Sequence, residues 1–103
     1  MIKMEIKEMQ KTTNEFLDLL YEKFGCNHDA NNTILHLAEE VGEISREFNK
    51  PNLRNQEIDM ENFSEQIGDV IILIMRLAKI YAIDLEETML GKIRKIKEQE
   101  GLN

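Results

Sequence analysis

Apolar residues in this chain recur three and four positions apart almost from end to end, and only one proline and five glycines interrupt them. That spacing gathers them on one side of a helix, whereas a strand would show them at every second position. The chain is therefore expected to be all-α. A first helix is predicted over about 3–24, with Ile6, Met9, Phe16, Leu17 and Leu20 along one side. Gly25-Cys26-Asn27-His28-Asp29 breaks it, a loop rather than a metal cluster because zinc needs four well-placed ligands. A second helix opens after Asn31-Asn32-Thr33, residue types that cap helices, and carries Ile34, Leu37, Val41, Ile44 and Phe48 until Pro51 ends it. The polar stretch from Asn49 to Gln56 is the long connection. A third helix is predicted over about 58–82, with Ile67, Val70, Ile71, Ile74, Ala78 and Tyr81 as its main stripe. The fourth starts at Asp84-Leu85-Glu86-Glu87, where capping-box spacing puts acid at the positive end of the helix dipole.

Four helices in 103 residues make a single domain, 1–103, long enough to bury one core without staples. Cys26 is the only cysteine, so no intrachain disulfide is available. The longest apolar run, Val70 to Met75, has six residues, far short of the ~20 a membrane span requires. No secretory signal is visible at the start, and a cytoplasmic location is expected. With 20 acidic against 13 basic side chains the formal charge is −7, which repels a nucleic-acid polymer unless a cation intervenes.

Val70-Ile71-Ile72-Leu73-Ile74-Met75 is apolar around the whole circumference of its helix, more than one neighbouring layer can cover. In so small a chain the economical cover is another copy of itself. The expected architecture is a four-helix bundle whose helix pairs are completed by homodimerisation, as a dimer or a pair of dimers.

A chain with this many acids contains about four acidic pairs at i,i+3 by chance. Glu39-Glu40-Val41-Gly42-Glu43 gains meaning from its relation to Gln66-Ile67-Gly68-Asp69. If helices two and three form an antiparallel hairpin, residues whose numbers share a constant total stand level, and Glu40 with Asp69 and Glu43 with Gln66 both total 109. On a helical wheel Glu40 and Gln66 each lie roughly 80° from the apolar stripe, Glu43 and Asp69 roughly 140°. Gly42 and Gly68 fall nearly level too. Each costs about 0.5–1 kcal/mol relative to alanine, which suggests a place kept clear of side chains. Carboxylates converging at ~5 Å would repel by roughly 3 kcal/mol per pair at an effective dielectric near 20, so such a cluster needs a cation. Oxygen donors without histidine or cysteine favour Mg²⁺, with Mn²⁺ as the alternative.

Glu39-Glu40-x-x-Glu43 followed by a helix bearing x-x-x-Asp69 resembles the MazG family of all-α nucleoside triphosphate pyrophosphohydrolases. The phrases Leu37-Ala38-Glu39-Glu40-Val41-Gly42-Glu43-Ile44 and Ile67-Gly68-Asp69-Val70-Ile71, and the Asp84 helix start, are similar to that family's, and the likeness covers roughly 33–97. The resemblance implies Mg²⁺-dependent hydrolysis of a nucleoside triphosphate to the monophosphate and pyrophosphate by a dimer or pair of dimers. It implies Glu40, Glu43 and Asp69 as metal ligands, Glu39 and Glu40 as catalytic residues, and Lys95 and Lys92 of the last helix as phosphate contacts. The family's second motif is Glu-x-x-Asp, and here its glutamate is Gln66, whose amide oxygen can meet metal or substrate but brings no charge. That departure opens a second reading, a catalytically weakened nucleotide-binding or regulatory module. A plain helical adaptor with an acidic face is the third.

Overall fold

The structure is a computed structural model that describes residues 5–102. It is all-α, with five helices among the described residues: α1 (Ile6–Phe24), α2 (Ala30–Phe48), α3 (Lys50–Leu53), α4 (Met60–Ile80) and α5 (Leu85–Gln99). The expected start of the first helix near Lys3 lies outside them. Four long helices match the expectation, and the fifth is a correction. The connection after α2 winds into the single turn of α3, with Pro51 in its first turn, where a missing N–H costs nothing. The start of α2 is also corrected. Asp29, not the Asn31–Thr33 group, is its N-cap, accepting from the Asn32 N–H at 2.8 Å. Gly25 closes α1 in the left-handed region, at φ 64°. Asp84 caps α5 as expected, accepting from the Glu87 N–H at 3.2 Å.

The most extensive packing joins α2 to α4, the antiparallel hairpin expected from the sequence. α1 packs on α4 and carries α5. Asn14, buried on α1, donates from Nδ2 to the carbonyls of Gln10 at 2.8 Å and Met75 at 3.1 Å, tying α1 to α4. On the exposed flank of that contact, Asp18 takes Arg76 at 2.7 Å and Lys79 at 2.9 Å. Gln10 joins α1 to α5, donating to the Ile83 carbonyl and accepting from the Leu85 N–H. That N–H is one of the donors every helix start leaves free.

The core is thin, and it does not lie where the apolar stripes predict. Leu17, Leu73, Met75 and Ala78 are its buried apolar members, beside buried Thr13, Asn14, Thr33 and Glu47. Of the stripe expected to face inward on α4, Ala78 does so, while Ile71 is 46% exposed and Ile67, Ile74 and Tyr81 are exposed with it. Ile34, Val41 and Phe48 on α2 are exposed in the same way. Helix α5 has no residue covered from Glu87 to Gln99. The surface is 8139 Å², against about 6,000 Å² for a compact monomer of this mass. The radius of gyration, 16.6 Å, exceeds the ~13 Å usual for 100 residues. A single chain thus leaves its most apolar helix faces uncovered.

Candidate metal and nucleotide site

The hairpin register carries the acids to the positions their spacing implies. Glu40 on α2 and Asp69 on α4 line one cavity of about 390 Å³. Glu43 and Gln66 line another, of about 280 Å³. Both level pairs therefore meet across the α2–α4 seam, but in two cavities rather than one. Among the described residues no three His, Cys, Asp or Glu side chains lie close enough to share an ion. Glu39 is exposed and lines neither cavity, nor do Lys92 and Lys95 on α5. The matched glycines meet nothing within 4 Å of an added Cβ, so packing within one chain does not require them.

The larger cavity opens between α1 and the hairpin. Its walls are Phe16, Leu17, Leu20 and Phe24 from α1 with Ile72 and Leu73 from α4, and its polar rim holds Cys26, His28, His36, Glu40 and Asp69. His28 lies in the expected loop, and neither it nor His36 was expected to border a cavity. A signal was present in the spacing: His36 lies one turn before Glu40, so the two share a helix face. Their Nε2 and Oε1 atoms are 3.3 Å apart. His28 stacks on Tyr21 with ring centroids 3.9 Å apart and planes 2° from parallel. Burial pushes the His28 ring below the usual histidine pKa, and the neighbouring His36 and Arg76 push the same way. The Nδ1 atom of that ring is buried and without a hydrogen-bond partner.

The smaller cavity is polar, with Arg46, Glu47, Lys50 and Asn62 completing its lining. The Gln66 Oε1 atom is likewise buried and unpartnered. Glu47, unremarkable by type and spacing, is a buried carboxylate. Hydrogen bonds from Lys50 and Asn62 hold its pKa down to about 2 against the opposing effect of burial, and the Asp59 N–H helps.

An all-α chain whose most extensive contact is a helical hairpin, with Glu40 and Asp69 across its seam at the rim of an apolar cavity, defines a helical domain with a polar-edged pocket. The comparison with known families gives the class its name. The profile of the MazG nucleotide pyrophosphohydrolase domain matches residues 28–100, most of the chain, and the chain belongs to that family. The match begins at His28 and takes in both level pairs, both cavities' hairpin residues and α5. No curated protein and no solved structure matches the chain significantly. No described helix is long and apolar enough to cross a membrane.

Proposed function

We propose that the protein is a divalent-metal-dependent hydrolase that adds water across the α–β phosphoanhydride of a nucleoside triphosphate, releasing the (deoxy)nucleoside monophosphate and pyrophosphate. One observation carries the reading: Glu40 and Asp69, brought from two helices, share a cavity whose remaining walls are apolar and aromatic. A nucleotide has those two halves, a flat base that gains from apolar cover and a charged chain that needs a cation among carboxylates. The base would lie against Phe16, Leu20 and Phe24, with the stacked rings of Tyr21 and His28 beside it.

The donor set fits a hard ion. Glu40 and Asp69 in the larger cavity would hold Mg²⁺, or Mn²⁺ in its place, through carboxylate oxygens, and Glu43 would join them on a side-chain shift out of the adjoining cavity, where the unpartnered Gln66 Oε1 offers a further oxygen. When bound, the ion supplies neutralisation of phosphate charge and a more acidic water. The residues of the chain do the rest. Glu40 and Asp69 orient the triphosphate relative to the base cavity, Glu39 beside Glu40 takes the proton of the attacking water, and Lys92 and Lys95 bind phosphate oxygens. The exposed stripes of α2 and α4 support assembly as a homodimer or a pair of dimers, since Ile34, Val41, Ile67, Ile71 and Ile74 have no cover in one chain.

Incubation with a panel of ribo- and deoxyribonucleoside triphosphates and Mg²⁺ or Mn²⁺ tests the reading through release of pyrophosphate and monophosphate in equal amounts. Silence across the panel removes it. Gln66 and the division of the acids between two cavities favour the second reading, a weakened nucleotide-binding or regulatory module, and Gln66→Glu separates the two. A large gain from near zero identifies the module; a small change from an already active chain identifies the enzyme.

A further inference from the structure

Glu40 meets Asp69 and Glu43 meets Gln66 only in one register of the hairpin, and a carboxylate outside both pairs ties the two helices together. Glu47 lies on α2 one turn beyond Glu43 and is 2% exposed. Its Oε1 atom accepts from Asn62 Nδ2 at 2.7 Å and from Lys50 Nζ at 3.0 Å, and its Oε2 atom accepts from the Asp59 N–H at 3.1 Å. Asp59 is the N-cap of α4 and Asn62 its third residue, so one carboxylate of α2 grips the first turn of α4. Glu47 and Asn62 also total 109, the relation shared by Glu40 with Asp69 and Glu43 with Gln66.

Free backbone donors exist only in the first turn of a helix, because every later N–H is consumed four residues back. A slip of one turn, about 5.4 Å, toward the middle of α4 would set this buried charge against amides already used, and a slip the other way would part it from Asn62. Apolar ridges spaced four residues apart discriminate poorly against that slip, since they repeat at nearly the same interval. The choice of register falls to the charged clamp. We propose that Glu47 is a positioning residue: its grip on Asp59 and Asn62 sets the α2–α4 register in which Glu40 faces Asp69 and Glu43 faces Gln66. The functional consequence rests on the reading of those four residues as a metal site.

Asn62→Asp places a second carboxylate against Glu47 with Lys50 left to serve both. Adding Glu47→Gln restores an amide–carboxylate pair with donor and acceptor exchanged. Mn²⁺ alone is titrated calorimetrically into each protein well below its melting temperature. The single substitution is expected to weaken Mn²⁺ binding at least about tenfold, the scale of a lost supporting contact, and the double substitution to recover to within about threefold. An added negative charge by itself tightens cation binding, so the loss has the opposite sign from the direct electrostatic effect.

A second readout needs no metal. Ser45 and Ser64 are exposed and level across the seam. Nitroxides on Ser45→Cys and Ser64→Cys, in a Cys26→Ser background, report the register through their dipolar coupling. The distance should shift or broaden with Asn62→Asp and return in the double variant. A fall in melting temperature with Mn²⁺ affinity and distance both unchanged reduces Glu47 to a stabilising residue and overturns the proposal. If the unsubstituted chain takes up no Mn²⁺ but the distance responds, the metal reading fails and the register role stands. If Mn²⁺ binds and neither quantity responds, the register role fails and the metal reading stands.

Discussion

Asp69 of α4 and Glu40 of α2 wall the same cavity from opposite helices, the two carboxylates at the polar rim of an otherwise apolar space. Their partners one turn along, Gln66 and Glu43, face each other in the adjoining cavity. Two level pairs thus line one helical seam, three of their four members carboxylates and the fourth the amide of Gln66.

Two substitutions in those pairs should move activity in opposite directions. Asp69→Asn removes an oxygen anion from the larger cavity and is expected to cut kcat/KM more than ~100-fold, beyond what residues that only support a metal ligand cost. Gln66→Glu supplies the missing charge and should tighten Mn²⁺ binding at least about tenfold. Steady-state pyrophosphate release and calorimetric Mn²⁺ titration measure the two effects. Equal, small effects from both would remove these residues from the site.

Acid should expose the contribution of Glu47. The carboxyl titrates at its ordinary value of 4.5 when unfolded and at about 2 in the fold, so the folded state binds the proton less readily. Its stabilisation is complete above the unfolded value and is lost as pH falls through that interval toward 2. Melting curves of the unsubstituted chain should decline steeply there, while Glu47→Gln starts lower and declines less. Parallel curves would assign the acid sensitivity elsewhere.

Ile71 tests the uncovered face. It is 46% exposed on α4, so Ile71→Glu disturbs nothing buried within one chain. In a homodimer closed over that face, the new charge would be desolvated between copies, a cost of several kcal/mol that no partner offsets. Sedimentation velocity is expected to show a dimer or larger for the unsubstituted chain and a monomer for the variant, with helical circular dichroism retained. A monomer in both cases would leave the stripe unexplained.

Leu73 behaves in the opposite way, since it is buried within the chain. Leu73→Ala should destabilise the fold by about 2–5 kcal/mol through lost transfer energy and the cavity left behind. Urea unfolding at fixed protein concentration measures it. In contrast to Ile71→Glu, the loss should persist under conditions that dissociate the assembly.

The comparison of Ile71 with Leu73 shows where sequence reading stops. Both belong to a run that is apolar on all sides, and no period can say which side meets α1 and which awaits another surface. The same rotation decided that Phe16 would border a cavity and that Thr33 and Glu47 would be buried. Glu47 stood out neither by type nor by spacing, because an acid beside a lysine three residues on reads as an ordinary surface pair until a neighbouring helix covers it. The caps were partly legible: Asp84 acts as expected, whereas Asp29 took the role given to the asparagines after it.

By itself the sequence determined the all-α class, the four long helices and the level pairing of Glu40 with Asp69 and Glu43 with Gln66. These follow from the helical repeat and from residue counts on either side of one connection, which are local quantities. Only the tertiary structure decided that the two pairs occupy separate cavities, that His28 and His36 join the first, and that Glu47 clamps the start of α4. Those facts depend on how far each helix turns about its own axis as it packs, and that rotation is set by all its neighbours together.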